Sequence, residues 1–314
     1  KEKDIIDVWF ESGISHQAVV FQEKSLQDPA DLYIEGSDQH RGWFQTSILT
    51  SIALKERAPY QKVLTHGFVV DSKGKKMSKS IGNVIDPQKI VEEKGADILR
   101  LWVSLEDYTQ DIRVSKEIIG YTVEVYRRIR NSFRFLLGNL YDFNPLKDSI
   151  SLNEMREVDR WMLSYFQDVI KEVEDSFETF KFYEAVRFIH NFEVNELSSF
   201  YFDILKDRLY TFPANCIGRR SAQTVLYQLL INLIKLTAPV VPFTSEEVWK
   251  YTKTQEEESV FLSSWPKIKK EWIDKGLEEK WSKILKVREK VLKELEECRQ
   301  SKKITSSLQA KIII

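Results

Sequence analysis

Four lysines lie close together in one short loop, among side chains that carry hydroxyl groups. The loop begins at Asp71, contains Lys73 and Gly74, and continues through residues 75–80, which read Lys-Lys-Met-Ser-Lys-Ser. Ammonium groups and hydroxyls both bind phosphate oxygens, so this composition predicts a loop that wraps a polyphosphate. A cluster of lysines is more often a solvated basic surface. The methionine between the lysines and the Ser-Lys-Ser order favour the phosphate interpretation.

The elements around this loop indicate a parallel α/β sheet. Residues 31–36 and 63–70 are short apolar runs expected to be strands, and residues 41–54 are expected to form a helix between them. In such sheets ligands bind beyond the carboxyl ends of the strands. The segment 35–39 and the lysine loop both follow predicted strands. We therefore expect them to meet in one crevice.

The remainder of the chain reads as helical. Asp86 and Pro87 have the residue types of an N-cap and a first helical position, and they open a helix predicted to run through Trp102. After residue 115, apolar residues recur at steps of three and four, which predicts an all-α helical bundle. The expected helices cover residues 116–141, 155–177, 182–210, 219–236, 245–252 and 277–299. The apolar residues 308–314 are expected to begin a strand of an element that continues past the chain.

Three segments, in order, resemble one protein family. Lys76-Met77-Ser78-Lys79-Ser80 matches the KMSKS signature of class I aminoacyl-tRNA synthetases, and residues 82–87 continue it. Residues 7–13 and 35–44 narrow the resemblance to the isoleucyl-tRNA synthetases. The valine and leucine relatives share the KMSKS motif, but their sequences differ at the other two segments. The resemblance covers essentially the whole chain and is weakest after residue 261.

The resemblance implies a fold and a domain organisation. Residues 1–114 would be α/β, the second half of a Rossmann-type nucleotide-binding domain that carries the KMSKS loop. Residues 115–268 would be the helical anticodon-binding domain. Residues 269–314 would form a long charged helix and the start of a C-terminal module.

The resemblance also implies an activity and its catalytic loop. Members of the family are isoleucine–tRNA ligases. They react isoleucine with ATP to give isoleucyl-adenylate and pyrophosphate, and then transfer the acyl group to tRNA(Ile). Negative charge builds on the departing pyrophosphate, and the mobile cations Lys76 and Lys79 would stabilise it, with Lys79 the stronger candidate. Met77, Ser78 and Ser80 would complete the ATP-binding loop, and Mg²⁺ would accompany ATP. Gly74 and Gly82 flank the loop and would let it close over ATP.

The adenylate and the isoleucine side chain would be held by residues of the other two motifs. The implied adenylate-binding residues are Glu35, Gly36, Asp38 and Gln39, and the implied walls of the isoleucine pocket are Trp9 and Trp43. The simpler interpretations are that the two tryptophans are core aromatics and that the two carboxylates are a helix cap and a surface charge. Both interpretations stay open at the level of the sequence.

Several parts of the family pattern are absent from these 314 residues. No His-x-Gly-His or His-x-x-His spacing occurs among His16, His40, His66 and His190. The editing domain and the cysteine-ligated zinc module are absent too. We therefore expect a fragment that does not activate isoleucine by itself. Two alternatives remain: a fragment of a valine-type class I synthetase, and a non-catalytic tRNA-binding remnant.

Composition adds weaker bounds. The net charge of −1 does not exclude a nucleic-acid partner, because basic residues can cluster on one face. Arg127, Arg130 and Arg134 share one face of a predicted helix and could contact tRNA phosphates or remain solvated. Cys216 and Cys298 are isolated, which supports neither a zinc site nor a disulfide framework. No apolar run has the length of a membrane span, and we expect a monomeric cytoplasmic protein.

Overall fold

The computed structural model describes residues 3–78, 80–252 and 257–313. The chain forms two compact units. The first comprises Lys1–Gly95 and Glu106–Tyr121, and the second comprises Ala96–Leu105 and Thr122–Ile314. These units reflect packing alone, so the three domains expected from the sequence stay a prediction.

The first unit is α/β, as the sequence predicted. Its elements are α1 (Val8–Gly13), a π-helical turn (His16–Val20), β1 (Ala30–Gly36), a 3₁₀ turn (Ser37–Arg41), α2 (Trp43–Lys55), β2 (Tyr60–His66), β3 (Val69–Val70), α3 (Pro87–Lys94) and β4 (Ile112–Arg113). Strands β1 and β2 are parallel, with Glu35 opposite Thr65 and Gly36 opposite His66. Strands β3 and β4 form a second parallel pair.

The strand predicted over residues 63–70 is divided in two. Strand β2 ends at His66, and β3 begins at Val69 beside β4. A Cβ on Gly67 would lie 2.3 Å from the carbonyl oxygen of Gln110, so only glycine lets the two backbones approach here. The single-strand prediction was wrong because apolar content does not reveal such a close approach.

The helix predicted from Pro87 through Trp102 is also divided. Helix α3 ends at Lys94, and a separate helix, α4, covers Ala96–Leu105. Between them Gly95 adopts φ +93°, a conformation that terminates a helix and favours glycine. The predicted start is confirmed, since the Asp86 carboxylate accepts a hydrogen bond from the backbone N–H of Gln88 at 2.9 Å.

The second unit is a helical bundle. With α4, its elements are α5 (Lys116–Asn139), α6 (Glu157–Glu178), α7 (Phe182–Asn191), a π-helical segment (Phe192–Tyr201), α8 (Phe202–Thr211), α9 (Ile217–Thr237), α10 (Pro242–Lys250) and α11 (Lys275–Gln300). The region predicted as one helix over 182–210 thus contains a π-helical middle. Large apolar side chains from α5, α6 and the π-helical segment, such as Phe133, Trp161 and Phe192, are fully buried.

A buried polar cluster joins α6, α8 and α9 inside this bundle. The Asp159 carboxylate, which is completely buried, accepts hydrogen bonds from both terminal nitrogens of Arg208 at 2.7 Å. The Tyr201 hydroxyl donates to it at 2.7 Å, and the Ser221 hydroxyl at 2.5 Å. Desolvation raises the pKa of Tyr201 well above its ordinary value. The carboxylate is therefore both charge-compensated and fully hydrogen-bonded.

The C-terminal segment differs from its prediction. It contains a 3₁₀ turn, Ser307–Gln309, and among the described residues up to 313 no strand forms there. Ile314 lies outside the described residues. Within the part of the chain that the structure describes, none of the helices is long and apolar enough to span a bilayer.

Candidate functional site

The start of α1 presents Trp9 at the surface of the first unit. The Asp7 carboxylate caps the helix by accepting a hydrogen bond from the Trp9 backbone N–H at 2.8 Å. The Trp9 side chain is 44% exposed, and its ring edge lies 3.2 Å from where a Cβ on Gly42 would be. Trp9 is therefore a partly exposed apolar surface and not a core aromatic.

The Trp43 side chain is held in one orientation by two contacts. Its ring stacks on that of Tyr33 with centroids 4.3 Å apart and planes within 8°. Its indole N–H donates to the carbonyl oxygen of Ser12 at 2.9 Å. Tyr33 is itself buried, with its hydroxyl 3.1 Å from the Ser47 hydroxyl. These contacts fix the plane of the half-buried Trp43 ring beside the end of β1.

The segment after β1 forms a tight polar turn. Gln39 Oε1 accepts the Trp43 backbone N–H at 3.0 Å, and Gln39 Nε2 lies 3.4 Å from Asp38 Oδ2. Glu35 Oε2 accepts the Gly36 N–H at 3.2 Å. A Cβ on Gly36 would come within 2.7 Å of Asp38 Oδ1, so a larger residue would displace the Asp38 side chain. The exposed carboxylates of Glu35 and Asp38 therefore lie on either side of the buried Gly36.

The lysine loop is organised by Asp71, at the end of β3. One carboxylate oxygen of Asp71 accepts the backbone N–H groups of Lys73 and Lys75, each at 2.9 Å. Gly74 makes the turn with φ +77°. Hydrogen bonds from the Asn83 amide and from the Lys75 backbone lower the pKa of the Asp71 carboxyl. Asp71 is thus an ionised anchor for the base of the loop.

Asn83 closes the loop from its other end. Its amide nitrogen donates to the second Asp71 oxygen at 2.9 Å and to the Lys76 carbonyl at 3.3 Å, and its oxygen accepts the Ser78 N–H at 2.9 Å. The hydroxyls of Ser78 and Ser80 lie 2.6 Å apart.

Gly82 and Met77 complete the return of the loop. Gly82 turns the chain with φ +73°, and the Met77 sulfur lies 3.4 Å from the Ile85 nitrogen. Both predicted flanking glycines, Gly74 and Gly82, therefore occupy the left-handed region.

Lys76 is connected to the turn after β1 through one aromatic ring. Its ammonium group lies over the Phe68 ring, 4.8 Å from the centroid. An atom of the same ring lies 3.8 Å from where a Cβ on Gly36 would be. Lys79, the other predicted catalytic lysine, lies outside the described residues. Sequence reasoning gave no role to Phe68 or Asn83; the only signal was that both lie inside or beside the motif segments.

The basic face of α5 is exposed. Arg127, Arg130 and Arg134 all reach solvent, and among the described residues only Arg127 of these three forms an ion pair, with Glu124. In the same described ranges, no group of three or more His, Cys, Asp and Glu side chains could hold a metal ion. The sulfurs of Cys216 and Cys298 are free.

Comparison with known proteins identifies the class first. Residues 1–115 match the family described as tRNA synthetases class I (I, L, M and V). Residues 159–314 match the anticodon-binding domain of tRNA ligase. The chain therefore belongs to the class I tRNA synthetases, with a segment of the catalytic domain followed by an anticodon-binding domain.

Within that class, the chain is similar along its whole length to isoleucine–tRNA ligases. It is 52% identical to the enzyme of Natranaerobius thermophilus over 314 residues, which are 100% of this chain and 34% of that protein. The isoleucine–tRNA ligase of Caldanaerobacter subterraneus is likewise 52% identical, with the same coverage of 100% and 34%. The chain thus spans about a third of the length of these curated relatives. The resemblance inferred from the motifs is confirmed.

Solved structures show the same fold. LeuRS from Agrobacterium radiobacter K84, in a ternary complex with tRNA and LeuAMS, has a TM-score of 0.70 at 24% identity, covering 87% of this chain and 34% of that one. Methionyl-tRNA synthetase from Mycobacterium tuberculosis, in complex with methionyl-adenylate, has a TM-score of 0.62 at 20% identity and covers 74% of this chain and 46% of its own.

Proposed function

We propose that the chain is part of an isoleucine–tRNA ligase, which forms isoleucyl-adenylate from isoleucine and ATP and transfers the acyl group to tRNA(Ile). The observation that carries the proposal is similarity along the whole of this chain to about a third of the isoleucine–tRNA ligases, at 52% identity. The geometry agrees with it, because the Phe68 ring, which carries the ammonium group of Lys76 from the lysine loop, lies beside Gly36 at the end of β1, next to the exposed carboxylates of Glu35 and Asp38.

The aromatic surface suits the isoleucine side chain. Trp43 has a fixed ring plane, and Trp9 offers a partly exposed apolar ring beside Gly42. Such a surface contacts a branched aliphatic group over its whole length. It separates isoleucine from valine by one methylene only, which is worth about 1–3 kcal/mol.

The turn after β1 suits the polar part of the adenylate. Glu35 and Asp38 can accept hydrogen bonds from the substrate ammonium group or from ribose hydroxyls, which are donors. Gly36 has no Cβ that would displace the Asp38 carboxylate, and Gln39 holds the turn against the start of α2 by accepting the Trp43 N–H. These four residues would orient the carboxylate of isoleucine toward the α-phosphate.

The lysine loop would stabilise the transition state. As the isoleucine carboxylate attacks the α-phosphate, negative charge develops on the departing pyrophosphate, and Lys76 and Lys79 would compensate for it. The backbone and hydroxyls of Met77, Ser78 and Ser80 would line the same phosphates. The described residues offer no group of carboxylates fitted to hold Mg²⁺ alone, so the ion would enter bound to the ATP phosphates.

The bundle would supply the tRNA contact. Arg130 and Arg134 are exposed on one face of α5, and neither has an ion-pair partner among the described residues. Phosphate contacts of this kind make binding salt-dependent. We also propose that the enzyme is monomeric and cytoplasmic, and that this segment itself binds no zinc.

Pyrophosphate exchange and tRNA binding test the proposal together. We expect the 314-residue chain to bind tRNA(Ile) without catalysing isoleucine-dependent ATP–pyrophosphate exchange, since it lacks a His-x-Gly-His turn. A chimeric isoleucine–tRNA ligase in which this chain replaces the matching third should catalyse exchange with isoleucine well above valine. A preference for valine would favour the valine-type alternative. A chimera that binds tRNA but activates neither amino acid would favour the non-catalytic remnant.

A further inference from the structure

We propose that Asn83 and Phe68 are positioning residues that present Lys76 to the phosphates of ATP. Asn83 would fix the backbone on both sides of Met77, and Phe68 would hold the Lys76 ammonium group next to the adenylate-binding turn. The inference deepens the function proposed above and rests on it for the identity of the phosphate ligand.

The Asn83 side chain makes three hydrogen bonds in the loop, and it can make all three because an amide group both donates and accepts. It accepts from the Ser78 N–H and donates to the Lys76 carbonyl and to Asp71. A side chain with only acceptors or only donors could make at most part of this set. The two residues that flank Met77 are thereby tied to the carboxylate that also anchors Lys73 and Lys75. The path of the backbone at Lys76 is therefore held by Asn83 together with the antiparallel bridge that pairs Lys76 with Val70.

Phe68 acts on the side chain of Lys76. The ammonium group lies 4.8 Å from the ring centroid, a distance at which the ring face attracts a cation. The ring follows β2 and lies beside Gly36, so the charge is held at the place where the adenylate would be bound. A ring attracts a cation less strongly than a phosphate does. Lys76 can therefore leave Phe68 as pyrophosphate charge develops, having already been brought close.

The two contacts can be tested on this chain directly. With lysines reductively ¹³C-dimethylated, the Lys76 methyl signal should be shifted upfield by the Phe68 ring current, and Lys76→Arg identifies the signal. Phe68→Leu should abolish the shift, and Asn83→Ala should reduce it. Phe21→Leu is a matched control, because Lys55 lies 4.3 Å from the Phe21 centroid in the same unit. It should move the Lys55 signal and leave that of Lys76 in place.

Kinetics of the chimeric ligase test the consequence. Phe68→Leu should lower kcat for pyrophosphate exchange about fivefold and Asn83→Ala about tenfold, with KM for isoleucine unchanged. Phe21→Leu should have no effect. In a Lys76→Ala background, Phe68→Leu should cause no further loss, since it acts only through that lysine. An equal loss in both backgrounds would show a merely structural role and overturn the proposal.

A charge exchange tests Asn83 separately. Asn83→Asp places two carboxylates against each other and should lower kcat more than Asn83→Ala does. The double variant Asp71→Asn/Asn83→Asp restores the amide–carboxylate pair between the two positions and should recover part of the rate, because a carboxylate at position 83 still cannot donate to the Lys76 carbonyl. Failure to recover would overturn the role of the pair. If Lys76→Ala itself leaves exchange unchanged, the proposed function of the loop fails, whereas the ring-current result still reports whether Phe68 holds Lys76.

Discussion

The lysine loop of the first unit and the polar cluster of the second are each organised by one aspartate carboxylate that accepts several hydrogen bonds, but the two carboxylates differ in their exposure to water. In the loop, Asp71 accepts three N–H groups at a position open to water. In the bundle, Asp159 accepts four donor contacts with no exposure. Water can replace the partners of Asp71 at small cost, whereas nothing can replace those of Asp159. The first arrangement permits motion, and the second prevents it.

This difference matches the tasks proposed for the two units. A loop that stabilises charge only in the transition state must rearrange during each turnover. A bundle that holds an RNA in register must not. The glycines follow the same division: Gly74 and Gly82 adopt positive φ in the loop, whereas Gly138 of the bundle lies within a regular helix.

The largest expected effect is the loss of the buried carboxylate. Asp159→Ala leaves the Arg208 guanidinium buried without its counter-charge, and we expect it to lower the free energy of unfolding by about 3–5 kcal/mol. Urea denaturation of the 314-residue chain, followed by far-UV circular dichroism, measures this. Asp168→Ala removes an exposed ion pair with Lys275 and should cost about 0–1 kcal/mol. Equal effects of the two substitutions would contradict the contrast drawn above.

A second buried carboxylate in the bundle lacks a hydrogen-bond partner within the described ranges, and it should make the free energy of unfolding depend on pH. Glu193 is completely buried, neither of its oxygens has a hydrogen-bond partner among the described residues, and desolvation raises its pKa to about 8. Because the folded pKa exceeds the unfolded one, the folded state binds the proton more tightly. The contribution of protonated Glu193 to the free energy of unfolding is therefore complete below the unfolded pKa and is lost as pH rises toward 8.

Glu193→Gln should remove this dependence. At 1.36 kcal/mol per unit of pKa shift, the loss of unfolding free energy between the two pKa values amounts to roughly 5 kcal/mol, so above pH 8 the variant should be the more stable protein. Urea denaturation at several pH values between 4 and 9 measures the slope. Glu172→Gln, at an exposed position of α6, should leave the slope unchanged. A slope that persists in Glu193→Gln would assign it to another group.

Local patterns predicted the elements but not the contacts that define the site. Helical periodicity and the Asp86–Pro87 cap found the helices, because both signals are carried by residues near one another in the chain. The stack of Tyr33 on Trp43 depends on the orientation of β1 against α2, which no pattern encodes. The three residues that donate to Asp159 likewise come from three other elements: Tyr201 from the π-helical segment, Arg208 from α8 and Ser221 from α9. The break at Gly67 depends on Gln110, which is distant in sequence.

The motif resemblance supplied what periodicity could not, and it had its own limit. It pointed to Glu35 and Gly36, the last two residues of β1, and to Asp38 and Gln39 in the turn that follows. It gave no reason to single out Phe68, because a motif marks positions and not the ring that lies between them.

The smallest expected effects come from glycines, and they should have opposite signs in the two regions. Gly82→Ala places a residue with a Cβ in the left-handed region at φ +73°, which should destabilise the folded loop by about 1–2 kcal/mol. Gly138→Ala places alanine in α5, where nothing lies within 4 Å of the added Cβ, and should stabilise the chain by about 0.5–1 kcal/mol.

The two glycine substitutions should also affect different parts of the molecule. Because the loop is held by exposed hydrogen bonds, Gly82→Ala should accelerate amide exchange at Ser78 and its neighbours while global unfolding stays the same. Gly138→Ala should instead slow exchange throughout the bundle, since its amides exchange through global unfolding. Hydrogen–deuterium exchange resolved by residue separates the two outcomes. Global destabilisation by Gly82→Ala would mean that the loop is a cooperative part of its unit, and not the locally mobile element that the proposed catalysis requires.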